Sequence, residues 1–220
     1  MSQRLRRVAK QPSVQRLPAY LRLIKMLQDD GEEAVSTTYL AEMLDLQPII
    51  VRKDLSVTGI VGRPRIGYEV PELIAAIESY LGWDRVRDVV LIGVGHLGTA
   101  LLGYRGFADY RLRVRAAFDS DPDRVGDMVH GCPVHAWDTA ASFVSAHGVQ
   151  LAILTVPAPV AQNAADTLVQ AGIRAIWNFS PVKLHVPDHV VSHQEDLTAG
   201  LGVLSLKLRL LLQDEPDPGA

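Results

Sequence analysis

Apolar positions in the first third of the chain recur at spacings of three and four. Leu17, Tyr20, Leu21, Ile24 and Leu27 predict a helix from Gln11 to Leu27, with Pro18 suited to a first turn. Ser36 reads as the N-cap of a second helix over Thr37 to Leu44, and Pro48 opens a third. In the third, Val51 and Leu55 face the core, leaving Arg52, Lys53 and Ser56 on other faces. Gly59 to Val70 reads as a hairpin carrying Arg63, Arg65 and one aromatic, Tyr68. Pro71 then starts a connecting helix, Glu72 to Leu81, closed by Gly82.

Beyond Arg87 the pattern changes to short continuous apolar runs alternating with helical stretches. Asp88 to Ile92, Leu112 to Phe118, Pro133-Val134, Leu151 to Val156, Ile173 to Phe179 and Val190-Val191 read as strands. Thr139 to Ala146 and Val160 to Ala171 read as helices between them. Alternation of this kind predicts an α/β domain with a doubly wound parallel sheet, preceded by a winged helix. Leu197, Leu201, Leu204, Leu208 and Leu211 then follow a heptad seam, which calls for a partner helix; the alternative is a terminal helix folding back on its own domain.

The junction of the first strand and its helix carries the chemistry. Gly93-Val94-Gly95-His96-Leu97-Gly98 is a G-x-G-x-x-G in which the first glycine permits the turn, the second lets backbone approach a pyrophosphate and the third lets helix pack on strand. Asp119 ends the next apolar run about twenty residues on, where a carboxylate holds ribose hydroxyls and repels a 2′-phosphate, favouring NAD(H) over NADP(H). Thr155, Val156, Pro157, Asn178 and Phe179 lie at further strand ends and are candidates to border the nicotinamide. His96 sits inside the glycine loop, where it is expected to point away from the phosphates.

Composition narrows the classes further. In 220 residues, 48% hydrophobic and 21% charged, no apolar run is long enough for a membrane span, and no secretory signal is read at the start. The single cysteine, Cys132, excludes an internal disulfide and a cysteine-based zinc site, and no metal is expected. Residues 1–70 carry a net +3 while residues 71–220 carry −6, a split that suits a nucleic-acid-facing front end on an acidic body. Arg52, Lys53 and Ser56 are accordingly candidates to read a DNA major groove, with Arg63 and Arg65 reaching phosphate or minor groove; the alternative is that Arg52, Lys53 and Asp54 form a solvated helix face.

Together these stretches resemble the Rex family, bacterial redox-sensing repressors that respond to the NADH/NAD ratio. The resemblance runs through Arg16-Leu17-Pro18, Val51-Arg52-Lys53-Asp54-Leu55-Ser56, Gly67-Tyr68, Gly93 to Gly98, Leu102-Gly103-Tyr104, Phe118-Asp119, Thr155-Val156-Pro157, Asn178-Phe179-Ser180-Pro181 and Asp196-Leu197. It implies a cytoplasmic homodimer with swapped C-terminal helices, bound to an inverted-repeat operator in double-stranded DNA when NADH is scarce and released when NADH binds. It further implies that Tyr104 lies beside the nicotinamide, that Tyr68 belongs to the DNA-facing wing, and that Arg16 and Asp196 pair in a state-dependent way. The corresponding domains are a winged helix over 1–82, an NAD(H)-binding Rossmann domain over 83–196, a dimerisation helix over 197–213 and a disordered tail over 214–220.

Two departures stand out. Val57-Thr58 replaces an aromatic usual after the recognition helix, and the wing tip reads Arg63-Pro64-Arg65 where a basic pair and a glycine are more usual. Arginine is expected to stay out of the left-handed region open to glycine, so a different wing backbone is expected. The competing readings are a small NAD-dependent oxidoreductase and a nucleotide- or CoA-binding scaffold. No catalytic constellation supports the first, and the second shares the fold.

Overall fold

The computed structural model describes residues 11–213, which form two compact units. The first takes the chain up to Arg87 together with Gly106–Leu112, and the second takes Asp88–Arg105 and the chain from Arg113 onward. The expectation for residues 214–220 lies outside the described residues.

The first unit is a winged helix. Its order is α1 (Gln11–Asp29), β1 (Ala34–Val35), α2 (Thr37–Met43), α3 (Pro48–Leu55), β2 (Tyr68–Glu69) and α4 (Val70–Leu81). Leu17, Tyr20, Leu21 and Ile24 of α1 meet Leu40, Val51, Leu55, Leu73 and Ile77 in one buried core, as the three-and-four spacing requires. The Ser36 hydroxyl accepts the Tyr39 N–H at 3.0 Å and caps α2. Pro18 sits inside α1 instead of in its first turn, because the helix already begins at Gln11.

The expected hairpin over Gly59 to Val70 is reduced to a bridge between Arg63 and Gly67. Tyr68 and Glu69 pair instead with Val35 and Ala34, a strand too short to show any alternation in sequence. Between Arg63 and Ile66 the chain makes a type II turn, closed by the Ile66 N–H on the Arg63 carbonyl at 3.3 Å. Pro64 takes the position that favours proline. Arg65 takes the one that favours glycine, at φ +67°. Arginine therefore does enter the left-handed region, at a cost of roughly 1–2 kcal/mol. Reciprocal bonds between Arg63 and Gly67, 2.6 and 2.9 Å, hold the turn closed.

Gly106–Leu112 joins this unit through Tyr110, whose ring centroid lies 4.5 Å from that of Trp83. The Arg87 N–H also donates to the Arg111 carbonyl at 2.8 Å.

The second unit runs β3 (Arg87–Ile92), α5 (His96–Leu102), β4 (Leu112–Asp119), β5 (Met128–Val129), β6 (Cys132–Ala136), α7 (Ala140–His147), β7 (Leu151–Leu154), α8 (Ala158–Ala171), β8 (Ala175–Asn178), β9 (Val191–Gln194) and α9 (Leu197–Gln213); α6 (Gly106–Asp109) belongs with the first unit. The sheet order is β5-β6-β4-β3-β7-β8-β9. Pairings β4–β6, β3–β7, β7–β8 and β8–β9 are parallel, and β5 is added antiparallel at the edge. From β3 the chain winds outward through β4 and β6, then returns to the other side of β3 with β7. That reversal is the topological switch point at which doubly wound sheets bind ligands.

The α9 expectation needs widening. Leu201, Leu204, Leu208 and Leu211 are exposed in the chain, and so are Val203, Leu206, Leu210 and Leu212, so the apolar surface spreads well beyond a heptad seam. The helix does not fold back to bury these residues on its own unit, since each remains about half exposed or more.

Candidate functional site

The glycine turn leaves β3 at the switch point. Gly93 has φ +94°, and a Cβ there would stand 2.9 Å from the Thr155 carbonyl oxygen. A Cβ on Gly98 would meet the Gly93 carbonyl oxygen at 2.0 Å, so the close packing of α5 on the turn requires glycine. At Gly95 the situation is opposite, since an added Cβ would meet nothing within 4 Å. The space beside Gly95 is therefore not needed by the fold.

Asp119 closes the other side. Its carboxylate accepts the Val94 N–H at 2.5 Å and the Asp121 N–H at 2.9 Å. An ionised carboxylate has about four acceptor positions, so two backbone bonds leave it able to take a pair of hydroxyls. The Thr155 hydroxyl lies 2.7 Å from the Gly93 carbonyl oxygen and 2.9 Å from that of Ile92, tying the end of β7 to the turn. Around these groups opens a cavity of about 390 Å³, apolar at Val156 and Val160 and polar at Asp119, Asp121, Arg124 and Asn163.

Gly93, Val94, Gly95, Asp119, Thr155, Val156 and Pro157 line this cavity; His96, Leu97, Gly98, Tyr104, Asn178 and Phe179 do not. His96 is the exposed first residue of α5. Asn178 is fully buried, its side-chain amide donating to the Val182 carbonyl at 2.7 Å and accepting the Ser180 N–H at 3.0 Å. Phe179 packs on Trp177 with ring centroids 4.9 Å apart. Tyr104 is 53% exposed just beyond α5. Arg124, Trp137 and Asn163, which periodicity gave no reason to single out, line the cavity because loops after β4 and β6 and the start of α8 converge there.

In the first unit, Arg52, Lys53 and Ser56 are all exposed on α3 and its end. Arg52 borders a groove of about 660 Å³ with Ser36, Thr37 and Thr38 and the wing from Ile60 to Tyr68. Tyr68 and Arg63 are both engaged inside the unit. Tyr68 is only 8% exposed and belongs to the core, where burial raises its phenol pKa. Arg63 pairs with Glu69 of β2 and, at 3.9 Å, with Glu72 of α4, while its side chain stays 56% exposed. Arg65, at the apex, is exposed.

Asp54 is the largest surprise, being completely buried where a solvated face was the alternative reading. Arg16 reaches it with two bonds, 2.6 Å from Nε and 2.8 Å from Nη2, and the Tyr20 hydroxyl donates at 2.9 Å. Burial raises the Asp54 carboxyl, but hydrogen bonds from Arg16, Ser13 and Tyr20 outweigh it and hold the group below the usual carboxylate range. The bond to Asp54 likewise raises Arg16. Arg16, expected to pair with Asp196, is thus engaged inside its own unit, while Asp196 accepts from Thr198 at the start of α9. A signal for Asp54 did exist: Val51, Asp54 and Leu55 stand at i, i+3 and i+4, which puts the acid on the buried stripe.

Residues 84–182 match the family described as "CoA binding domain", and residues 11–56 match "Putative DNA-binding protein N-terminus". Among curated proteins, the redox-sensing transcriptional repressor Rex of Treponema denticola is 49% identical over 90% of this chain and 94% of its own. The chain belongs to the Rex family. The Rex of Bacteroides fragilis is 39% identical over 90% of each chain. Among solved structures, RSP, a Rex-family repressor, aligns over 92% of this chain and 94% of its own with a TM-score of 0.83 and 31% identity. RSP in complex with β-NAD+ and operator DNA gives 0.84 at 31% identity, covering 94% of this chain and 98% of its own. These Rex relatives are named as repressors, not enzymes. Among the described residues no group of His, Cys, Asp and Glu is placed to hold a metal ion, and no helix is long and apolar enough to cross a membrane.

Proposed function

We propose that this protein is a DNA-binding transcriptional repressor that senses the cellular NADH/NAD state, acting in the cytoplasm on an inverted-repeat operator when NADH is low and leaving it when NADH binds. The observation that carries the reading is the match, over more than nine-tenths of the chain, to RSP structures holding β-NAD+ with operator DNA in one case and β-NADH in another. Residues 1–82 serve as the DNA-binding domain, 83–196 as the NAD(H)-binding domain and 197–213 as the helix through which two chains join. The open space at Gly95 and the spare acceptor positions of Asp119 fit a dinucleotide. Gly93 to Gly98 would hold its pyrophosphate, Asp119 its adenosine ribose, and Thr155, Val156 and Pro157 would border the nicotinamide end with Tyr104.

The cofactor supplies a ring that is positively charged when oxidised and uncharged when reduced. The chain responds by binding one form better in the DNA-incompetent arrangement. Moving a dimer from mostly bound to mostly free takes about 10⁴-fold in differential affinity, or ~5.5 kcal/mol, shared here by two nucleotide sites. Arg52, Lys53 and Ser56 supply the major-groove contacts and Arg65 a phosphate or minor-groove contact.

The match of residues 84–182 to a CoA-binding domain favours a second reading, a CoA-binding module. Asp119 opposes it, since a carboxylate at the ribose repels a phosphate on that ring. One experiment separates the readings: titration with NADH, NAD+, NADPH and CoA, followed by a gel shift on DNA upstream of the protein's own gene with and without NADH. Tight binding of NADH with release of DNA is expected. CoA binding without any effect on DNA would overturn the repressor reading.

A further inference from the structure

A carboxylate bonded by several side chains in the first unit stands on the helix that carries the DNA-facing residues, but on its inner side. Asp54 directly follows Arg52 and Lys53 and lies two residues before Ser56. At ~100° per residue, all three neighbours point well away from it, so any rotation of α3 about its axis that moves Asp54 moves them equally. Apolar contacts through Val51 and Leu55 resist separation of α3 from the core but are non-directional and resist rotation weakly. The two parallel N–H bonds from Arg16 are directional, and the guanidinium plane fixes the carboxylate plane in two dimensions. Tyr20, fully buried one turn further along α1, adds a third fixed donor. Ser13, Arg16 and Tyr20 stand three and four apart on α1, so one face of one helix supplies the whole set.

We propose that Asp54 is a positioning residue for operator recognition: clamped by Arg16 and Tyr20, it sets the rotation of α3 and so the register in which Arg52, Lys53 and Ser56 meet the bases. The proposal rests on the repressor reading for its DNA readout but not for its structural half. A merely structural pair would be replaceable by apolar residues of similar volume, as buried ion pairs often are. A positioning pair would not be, because the replacement keeps the packing and loses the direction.

The test uses the full chain with Asp54→Asn and with the double variant Arg16→Met/Asp54→Leu. Binding is measured on a duplex from upstream of the gene and on a scrambled duplex of equal length, together with NADH affinity and amide hydrogen exchange. For both variants the preference for the upstream duplex is expected to fall tenfold or more, while binding to the scrambled duplex and NADH affinity stay within about twofold. Amides of α3 are expected to exchange at least tenfold faster while those of α4 do not. A double variant that regains full thermal stability and full preference for the upstream duplex would overturn the positioning role. If the unmodified protein shows no preference between the duplexes, the repressor reading fails, and the hydrogen exchange of α3 still decides the structural claim: unchanged protection in both variants overturns it.

Discussion

Two aspartates, one in each unit, divide the labour of this molecule. Asp54 on α3 is closed in by side chains: Arg16, Tyr20 and Ser13 take its acceptor positions, and none of its surface is exposed. Asp119 at the end of β4 is met by two backbone amides, Val94 and Asp121, and keeps a face on a cavity. Partners drawn from side chains across the core make a carboxylate part of the scaffold. Partners drawn from the turn it stands beside leave it free to receive a ligand while fixing where that ligand sits.

The comparison breaks most visibly at the glycines beside Asp119. Gly98→Ala is expected to destabilise the second unit by about 3 kcal/mol or more, because the new Cβ would press on backbone that cannot yield. Gly95→Ala should leave its thermal unfolding nearly unchanged and weaken NADH binding at least tenfold. Equal loss of stability in both variants would mean that the space at Gly95 serves folding.

Next in size is Asp54→Ala, which removes the partner of Arg16. Breaking a fully buried pair costs ~3–5 kcal/mol; with the Arg16 side chain 34% exposed, about 2–3 kcal/mol is expected in denaturant unfolding of the first unit. Acid provides the same test without mutation. Because the Asp54 carboxyl is held below its unfolded value, its contribution is present above the ordinary carboxylate range and is lost as pH falls through the lowered folded value. Asp54→Asn should flatten that acid limb.

Asp119→Ala should cost little stability but weaken NADH binding about tenfold to a hundredfold, the worth of one or two hydrogen bonds to a charged group, and narrow discrimination against NADPH. Retained discrimination would move the ribose contact elsewhere. The smallest effect is expected at the wing. Arg65→Gly relieves the left-handed backbone, gaining up to ~1 kcal/mol in stability, while lowering the salt slope of DNA binding by about one if Arg65 meets a phosphate.

Element by element, the order of helices and strands and the glycine turn were readable, because three-and-four spacing and continuous apolar runs are local signals. The two-residue strands β1, β2 and β5 and the four-residue helix α6 were not, since so short a segment has no period. The wing differs for another reason: backbone preference alone keeps arginine out of the left-handed region, whereas Pro64 and the reciprocal Arg63–Gly67 bonds fix the turn around Arg65. Sequence shows residue type and not partners, so neither the burial of Tyr68 nor the pairing of Arg63 with Glu69 could be read from it. Asp54 carries both signals, a charge that marks the surface and a place on the apolar stripe with Val51 and Leu55 that marks the core. The Asn178 amide could not have been assigned, as its partners Val182 and Ser180 are set by the shape of the loop.

The breadth of apolar surface on α9 also bears on dosage. Leu201, Leu204, Leu206, Leu208 and Leu210 through Leu212 are exposed in the single chain, so an assembly that covers them forms by mass action and falls apart on dilution. Below its dissociation constant, the concentration of paired chains varies with the square of the total. Halving the amount of protein in a cell would then reduce the paired species about fourfold, and a gene controlled by the pair would register the supply of repressor more steeply than that of any protein acting as one chain.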